Sequence, residues 1–267
     1  MNPRDPAMFT STRRAVLLIL MVACYASPVC ALARQDDPPD NREAVEALLD
    51  ELADYVRKSG RDYPGDSAAI KRIDQLGKEF KLSGPKDKKA IIRGLGRVFL
   101  AKRRAEKDGS QKTAMFILAA RGLGGMGTEA TDPLLKWVDS SRHKNDLALQ
   151  RELILSLGRT KSKKARKELQ DLLKDVRPTF KGAAATGLGM FTHEPSKVRK
   201  ELFEDLLKAL MQAKANSLGQ SSTAQKIWSA LNGPATGSMR KLSRASANSP
   251  EAWQRWWNKN KRRDWDK

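Results

Sequence analysis

The chain has almost no cysteine. It holds two in 267 residues, Cys24 and Cys30, both near its start. Histidine is equally scarce, at His143 and His193, and aromatic residues make up 6% of the chain. No stretch alternates β-branched and polar residues long enough to read as a strand. No apolar run reaches the roughly 20 residues a membrane-crossing helix needs. Each shortage excludes something. Beyond residue 30 the chain can form neither a disulfide nor a thiolate metal site. Two histidines in predicted polar turns would need carboxylates from separate turns to hold zinc, and solvated turn histidines are the simpler expectation. Stability must come from packed helices.

What is abundant is positive charge. Lysine and arginine number 51 against 31 acidic residues, for a formal net charge of +20. The N-terminus has its own logic. Arg13-Arg14 precedes an apolar run from Ala15 to Cys24, then small residues ending Ala31-Leu32-Ala33. A basic start, a short apolar segment and an A-x-A site read as a secretory signal peptide over residues 1–33, cut after Ala33. Thr12 to Leu17 resembles a twin-arginine signal, although the strongly apolar segment behind it favours an ordinary basic start. Ala23-Cys24 has a lipoprotein arrangement, but Met21 stands where Leu is usual. Cleavage removes Arg4, Asp5, Arg13 and Arg14, so the remainder keeps about +18. Such an exported chain attracts anionic partners: acidic proteins, anionic lipid or cell-wall polymer. Nucleic acid suits the charge but not the compartment.

Residues 34–40 read as a polar, Pro-containing linker. A helix follows from about Asn41, with Val45, Leu48, Leu49, Leu52 and Val56 on one face and Asp40 or Asn41 as its cap. A second spans about 67–82. A third opens at Pro85, where the missing N–H costs nothing. Helical spacing continues at about 111–125, 129–139, 146–159, 162–175, 179–191, 196–215 and 222–231. Residues 233–248 read as a mobile polar loop.

A short phrase recurs along this series. A small residue, Leu and Gly close a helix at 94–96, 122–124, 156–158 and 187–189, at steps of roughly 28, 34 and 31 residues, within the range of two-helix repeats. A double leucine follows three of the copies, at 134–135, 172–173 and 206–207. Glycine inside a helix costs about 1 kcal/mol relative to alanine, so its recurrence predicts close helix–helix approach. The phrase AARGLGGMGTEATDPLLKWV resembles a HEAT repeat of the subtype named after phycobilin-lyase HEAT-like proteins, and LSLGRTKSKKARKELQDLL and AAATGLGMF resemble further copies. The resemblance spans about 87–213, and more loosely 41–232. It implies an all-α, HEAT-like solenoid of antiparallel helix pairs, an architecture common in adaptors and scaffolds. Lyase activity does not follow, because no residue matches chromophore chemistry. Gly122 to Gly127 also satisfies G-x-G-x-x-G, but no βαβ unit surrounds it, and repeat packing explains it.

No catalytic constellation is visible, and no enzyme activity or cofactor is expected. Glu201, Glu204 and Asp205, close to Lys197, Arg199, Lys200 and Lys208, read as an ion-paired surface. Two basic clusters are candidate anion- or partner-binding sites: Lys86, Lys88 and Lys89 after Pro85, and Lys161, Lys163, Lys164, Arg166 and Lys167. Cations at a helix start oppose the macrodipole, unless an anion shared with the helix N–H groups compensates. A solvated surface is the alternative. Lys102, Arg103, Arg104 and Lys107 sit at a helix end, where the dipole favours them.

The last segment, 249–267, carries Trp253, Trp256, Trp257 and Trp265 with Lys259, Lys261, Arg262 and Arg263. It reads as a Trp-rich helix capping the last repeat, or one lying in a membrane interface or stacking on sugars. The expected function is that of an exported, non-enzymatic binding or scaffold protein with a basic surface for an acidic protein partner. The alternative is a peripheral envelope protein on anionic lipid or wall polymer. A small-molecule substrate is not expected.

Overall fold

The apolar spacings of the sequence become helices in the computed structural model, which describes residues 38–58, 65–103, 112–219 and 221–266. The expected signal peptide, residues 1–33, and residues 34–37 of the expected linker lie outside the described residues. Eleven α-helices are described: α1 Arg42–Arg57, α2 Asp66–Glu79, α3 Pro85–Val98, α4 Ala114–Gly124, α5 Thr131–Trp137, α6 Leu147–Thr160, α7 Lys163–Leu172, α8 Pro178–Leu188, α9 Ser196–Ser217, α10 Ser222–Ser243 and α11 Pro250–Asn260. A 3₁₀ turn, Thr128–Ala130, leads into α5. No strand occurs among the described residues. Local chemistry sets several boundaries. Ser162, Ser221, Ser249 and Asp146 accept a backbone N–H from the first turn of the helix each precedes, and Pro85, Pro178 and Pro250 open theirs.

The helices alternate between two layers. The even-numbered ones, α2 to α10, pack side by side, and each also packs against at least one chain neighbour in the odd-numbered layer: α2 on α1, α4 on α3 and α5, α6 on α5 and α7, α8 on α7, and α10 on α9. Within the odd layer α1 packs on α3, α3 on α5, α5 on α7 and α9 on α11; Gln170 of α7 donates to Asp205 of α9 at 2.7 Å. The core lies between the layers, where Leu52, Ile73, Leu95, Phe116, Leu153, Phe180 and Phe203 are buried. Removing such apolar area from water is the main source of stability, at about 25 cal/mol per Å².

The recurring glycines set the register of the even layer. A Cβ on Gly124 would lie 2.9 Å from Cβ of Ser156, one on Gly158 2.7 Å from Cα of Gly187, and one on Gly189 2.7 Å from Cβ of Ser238. The last residue of each phrase therefore meets the first residue of the next. The copy at 94–96 is out of phase. It belongs to α3 in the odd layer, and Gly94 there makes room for Leu49, whose Cδ2 is 2.3 Å from the missing Cβ position.

The expected loop at 233–248 is a correction. Helix α10 runs unbroken to Ser243, through Pro234. Leu231, Ala235, Ser238, Met239 and Leu242 form a buried stripe at helical spacing, and this packing outweighs the local signals of Gly233, Pro234 and Gly237. Pro234 has no N–H for the carbonyl of Ala230. Gly182 of α8 sits against that carbonyl, only 2.5 Å from its own absent Cβ. Only residues 244–249 link α10 to α11.

Two side chains expected at the surface are inside. His143 is buried among Phe99, Phe116 and Trp137, with ring centroids 5.1–6.3 Å away. Its Nε2 is 2.9 Å from the carbonyl of Phe99. Arg199 is buried at the start of α9, where it donates to the carbonyls of Leu242 and Trp265 and to the Asp266 carboxylate. Its guanidinium spans α9, α10 and the tail, a use of several donors that a surface ion pair would not need.

Candidate functional site

From α1 to α9 alternate helices run in the same direction, so the starts of α1, α3, α5, α7 and α9 line one edge. Side-chain contacts link neighbouring starts. The backbone N–H of Asn41, at the head of α1, donates to Asp87 of α3 at 2.5 Å. Thr131 of α5 donates to Ser162, the cap of α7, at 2.8 Å. Arg166 of α7 pairs with Glu194, just before α9, at 3.0 Å. Both basic clusters seen in the sequence fall on this edge, although some 75 residues separate them in the chain.

At the start of α3, Lys86 and Lys89 are exposed, and the Lys88 ammonium lies 5.9 Å from the centroid of Phe80. The helix start itself is occupied from within. One oxygen of Asp40 accepts the N–H groups of Lys86 and Asp87, each at 3.1 Å. Asp40 or Asn41 was expected to cap α1; Asn41 holds that position without a side-chain bond, and Asp40 caps α3 instead, because the chain turns through Pro38–Asp40 against Gly84, whose missing Cβ would be 2.5 Å from that oxygen. The local anion that the lysines invite is thus one the protein supplies.

At the start of α7 the cluster divides. Lys164 pairs with Asp132 at 2.5 Å, and half-buried Arg166 is held by Glu194. Lys161, Lys163 and Lys167 are exposed and have no acidic partner among the described residues.

The start of α9 again carries a built-in carboxylate. Asp266 accepts the Ser196 N–H at 3.0 Å and the Arg199 guanidinium. The Ser196 N–H, the largest influence, and the Arg199 guanidinium together hold its pKa below the ordinary carboxylate value against the opposing effect of burial. Two cations on α9, Lys197 and Lys200, meet Lys261 and Arg262 beyond α11 around a shallow depression of ≈ 460 Å³, with Trp257 as a wall and Glu201 and Glu204 on its rim. The sequence did not reveal this convergence. The tail cations were visible, but bringing them to the head of α9 requires α11 to lie antiparallel to it, as the 2.6 Å pair between Lys214, late in α9, and Glu251 of α11 requires.

The tryptophans of the tail are packed inward. Phe203 of α9 has Trp253, Trp256, Trp257 and Trp265 around it, with centroids 5.2–5.6 Å away. Trp253 and Trp257 are buried, and Trp256 and Trp265 are half-buried. Arg103, expected to favour a helix end, crosses instead to Asp66 at the head of α2; Arg104 and Lys107 lie outside the described residues.

The opposite edge is electrostatically different. There Arg177 is held between Asp139 at 2.6 Å and Asp175 at 2.7 Å. Its pKa is raised, mainly by the hydrogen bond to Asp175 and then by that to Asp139. Among the described residues no group of three or more metal-ligating side chains is present, and no helix is long and apolar enough to cross a membrane. Comparison with known protein families, curated proteins and solved structures finds no match to the chain.

Proposed function

We propose that the chain is an exported, non-enzymatic binding or scaffold protein, a HEAT-like α-solenoid that engages an acidic protein partner along its cationic edge. One observation carries this reading. Lys161, Lys163 and Lys167 share an edge with Lys197, Lys200, Lys261 and Arg262, and none of these seven cations is in an ion pair among the described residues, although Glu201 and Glu204 stand on the rim beside the last four. Where the protein needs a carboxylate at a helix start on this edge, it provides Asp40 or Asp266. The remaining cations therefore serve no capping role, and exposed like charges kept together repel one another unless a partner or solvent screens them. The alternate packing of α1 to α11 in two layers supports the solenoid reading, and the glycine contacts recur in step with the repeated phrase.

The test compares the full chain with a variant carrying Lys161→Glu, Lys163→Glu and Lys167→Glu. Both are immobilised and exposed to an envelope extract from the source cells. A protein retained by the wild type through a high-salt wash and lost from the variant, with helical circular dichroism unchanged, supports the reading. Salt-sensitive sedimentation with phosphatidylglycerol vesicles, without a retained protein, supports the peripheral-envelope alternative instead. With Trp253 and Trp257 packed against Phe203, that alternative rests on the lysines more than on the tail aromatics.

A further inference from the structure

A second surface lies away from the cationic edge and carries an inference beyond the proposed function. An open groove of ≈ 670 Å³ runs between α1 and α3. Leu49, Ala53 and Val56 of α1 and Ala90 and Gly94 of α3 give it an apolar floor, and Leu100, 50% exposed, closes one end. The α1 residues recur every three or four positions, so the apolar strip follows the second half of the helix, while Arg42 and Glu46 line the trough along its first half. Sixteen residues of α1 make a trough of roughly 24 Å at 1.5 Å per residue.

The two walls differ in charge. On the α3 side stand only cations, Arg93, Arg97, Lys102 and Arg103; on the α1 side Glu46 and Asp50 stand with Arg42 and Arg57, the latter paired with Asp54. Arg93 and Arg97 are four residues apart on one helix face, about 6 Å along the axis. Arg97 and Lys102 have no ion-pair partner among the described residues, and Arg93 spends only its Nε on the carbonyl of Lys89, at 3.3 Å. Glu46 is partly engaged by Arg42 at 2.7 Å.

We infer that this groove docks an amphipathic helix of about four turns, with carboxylates along the flank that meets α3. Peptides bind protein surfaces by strand addition, as polyproline helices on aromatic grooves, or as amphipathic helices in apolar grooves. The described residues offer no strand edge, and no aromatic side chain lines this groove. An apolar strip between two parallel helices is what a third helix fills, with leucine-like side chains at i, i+3, i+7 and i+10. Carboxylates four residues apart on its flank match the Arg93–Arg97 spacing. A cation on its other flank meets Asp50.

The probe is a fluorescein-labelled, 15-residue peptide with that leucine stripe, glutamates on one flank and lysines on the other. The full chain is titrated into it, and anisotropy and peptide helicity are followed. Arg93→Glu with Arg97→Glu is expected to weaken binding at least tenfold. So is Ala53→Trp, which fills the trough from an exposed position and leaves the core alone. The lysine triple variant of the cationic edge is expected to bind the peptide as the wild type does, so failure here is separable from failure of the proposed function. Absence of binding, equal binding after Arg93→Glu/Arg97→Glu, or equal binding of a peptide with its stripe leucines replaced by serine would overturn the inference. So would sedimentation showing that a second copy of the chain occupies the groove, as a dimer abolished by Ala53→Trp.

Discussion

Gly158 of α6 and Gly187 of α8 meet backbone to backbone: a Cβ on Gly158 would stand 2.7 Å from the Cα of Gly187 and 2.9 Å from its carbonyl oxygen. Neither obstacle is a flexible side chain, so the helices themselves would have to part. Alanine at 158 gains about 1 kcal/mol in helix propensity, but overpacking typically costs 1–3 kcal/mol, and backbone atoms relieve little of it. Gly158→Ala is therefore expected to lower the unfolding free energy by about 1–2 kcal/mol in urea titration. Gly77 of α2 provides the contrast. Nothing lies within 4 Å of its Cβ position, so Gly77→Ala is expected to add roughly 0.5–1 kcal/mol. If both variants shift the same way, the glycine phrase does not set the layer spacing.

This contact also marks how much the sequence could reveal. The phrase 122–124, 156–158 and 187–189 was legible, because it combines helical periodicity with residues that are unfavourable unless packing needs them. Two members of the pattern were not. Ser238-Met239 continues the ladder after Gly189, but the preceding Gly233 and Pro234 carry strong local turn signals, and only packing against α8 overrides them. Gly94-Leu95-Gly96 matches the phrase in letters and belongs to the other layer, a distinction the local sequence does not encode. The basic clusters were legible as clusters. Their shared edge depends on alternate helices running in the same direction, and the neutralising roles of Asp40 and Asp266 depend on contacts spanning 46 and 70 residues.

The heads of α1 and α3 cap each other. Asp40 accepts two N–H groups from α3, and Asp87 of α3 accepts the Asn41 N–H. Losing an Asp cap costs about 1 kcal/mol. Asp40→Ala and Asp87→Ala are each expected to cost that much, and the double variant less than the sum, since each carboxylate holds the segment that positions the other. A double-mutant cycle by chemical denaturation measures the coupling; strict additivity would show that the two caps act separately.

Phe203 is the centre of the C-terminal cap, within 5.2–5.6 Å of four tryptophan rings. Replacing a buried Phe by Ala typically costs 3–5 kcal/mol, and here the cavity would open among four large rings that cannot collapse into it without leaving α9. Phe203→Ala is expected to destabilise by about that amount and to red-shift the fluorescence of the cap tryptophans. A variant with wild-type emission and stability would show that Trp253 and Trp257 are held by other contacts.

The same cap should come away in acid before the core does. Glu251 is pulled down to about 2, chiefly by its hydrogen bond from Lys214 and then by backbone N–H. Asp266 is lowered too, by the Ser196 N–H first and Arg199 after it. A carboxylate depressed in the folded state contributes stability that is complete above its unfolded pKa and is lost as pH falls through its folded pKa. For Glu251 that window runs from about 4.5, its ordinary value, down to about 2. Four of the chain's six tryptophans lie in this cap, so emission followed from pH 6 to 2 reads it directly. The expected course is flat to about pH 4.5 and then a red shift, while helical circular dichroism at that point persists, because α2 to α8 are held by apolar packing. Asp266→Asn keeps the shape but forfeits the charge toward Arg199 and one of the two acceptor oxygens shared between Arg199 and Ser196, so this variant should begin its shift at higher pH. An unchanged midpoint would mean that Asp266 does not hold the tail on α9, and that Trp packing on Phe203 alone keeps the end of the molecule closed.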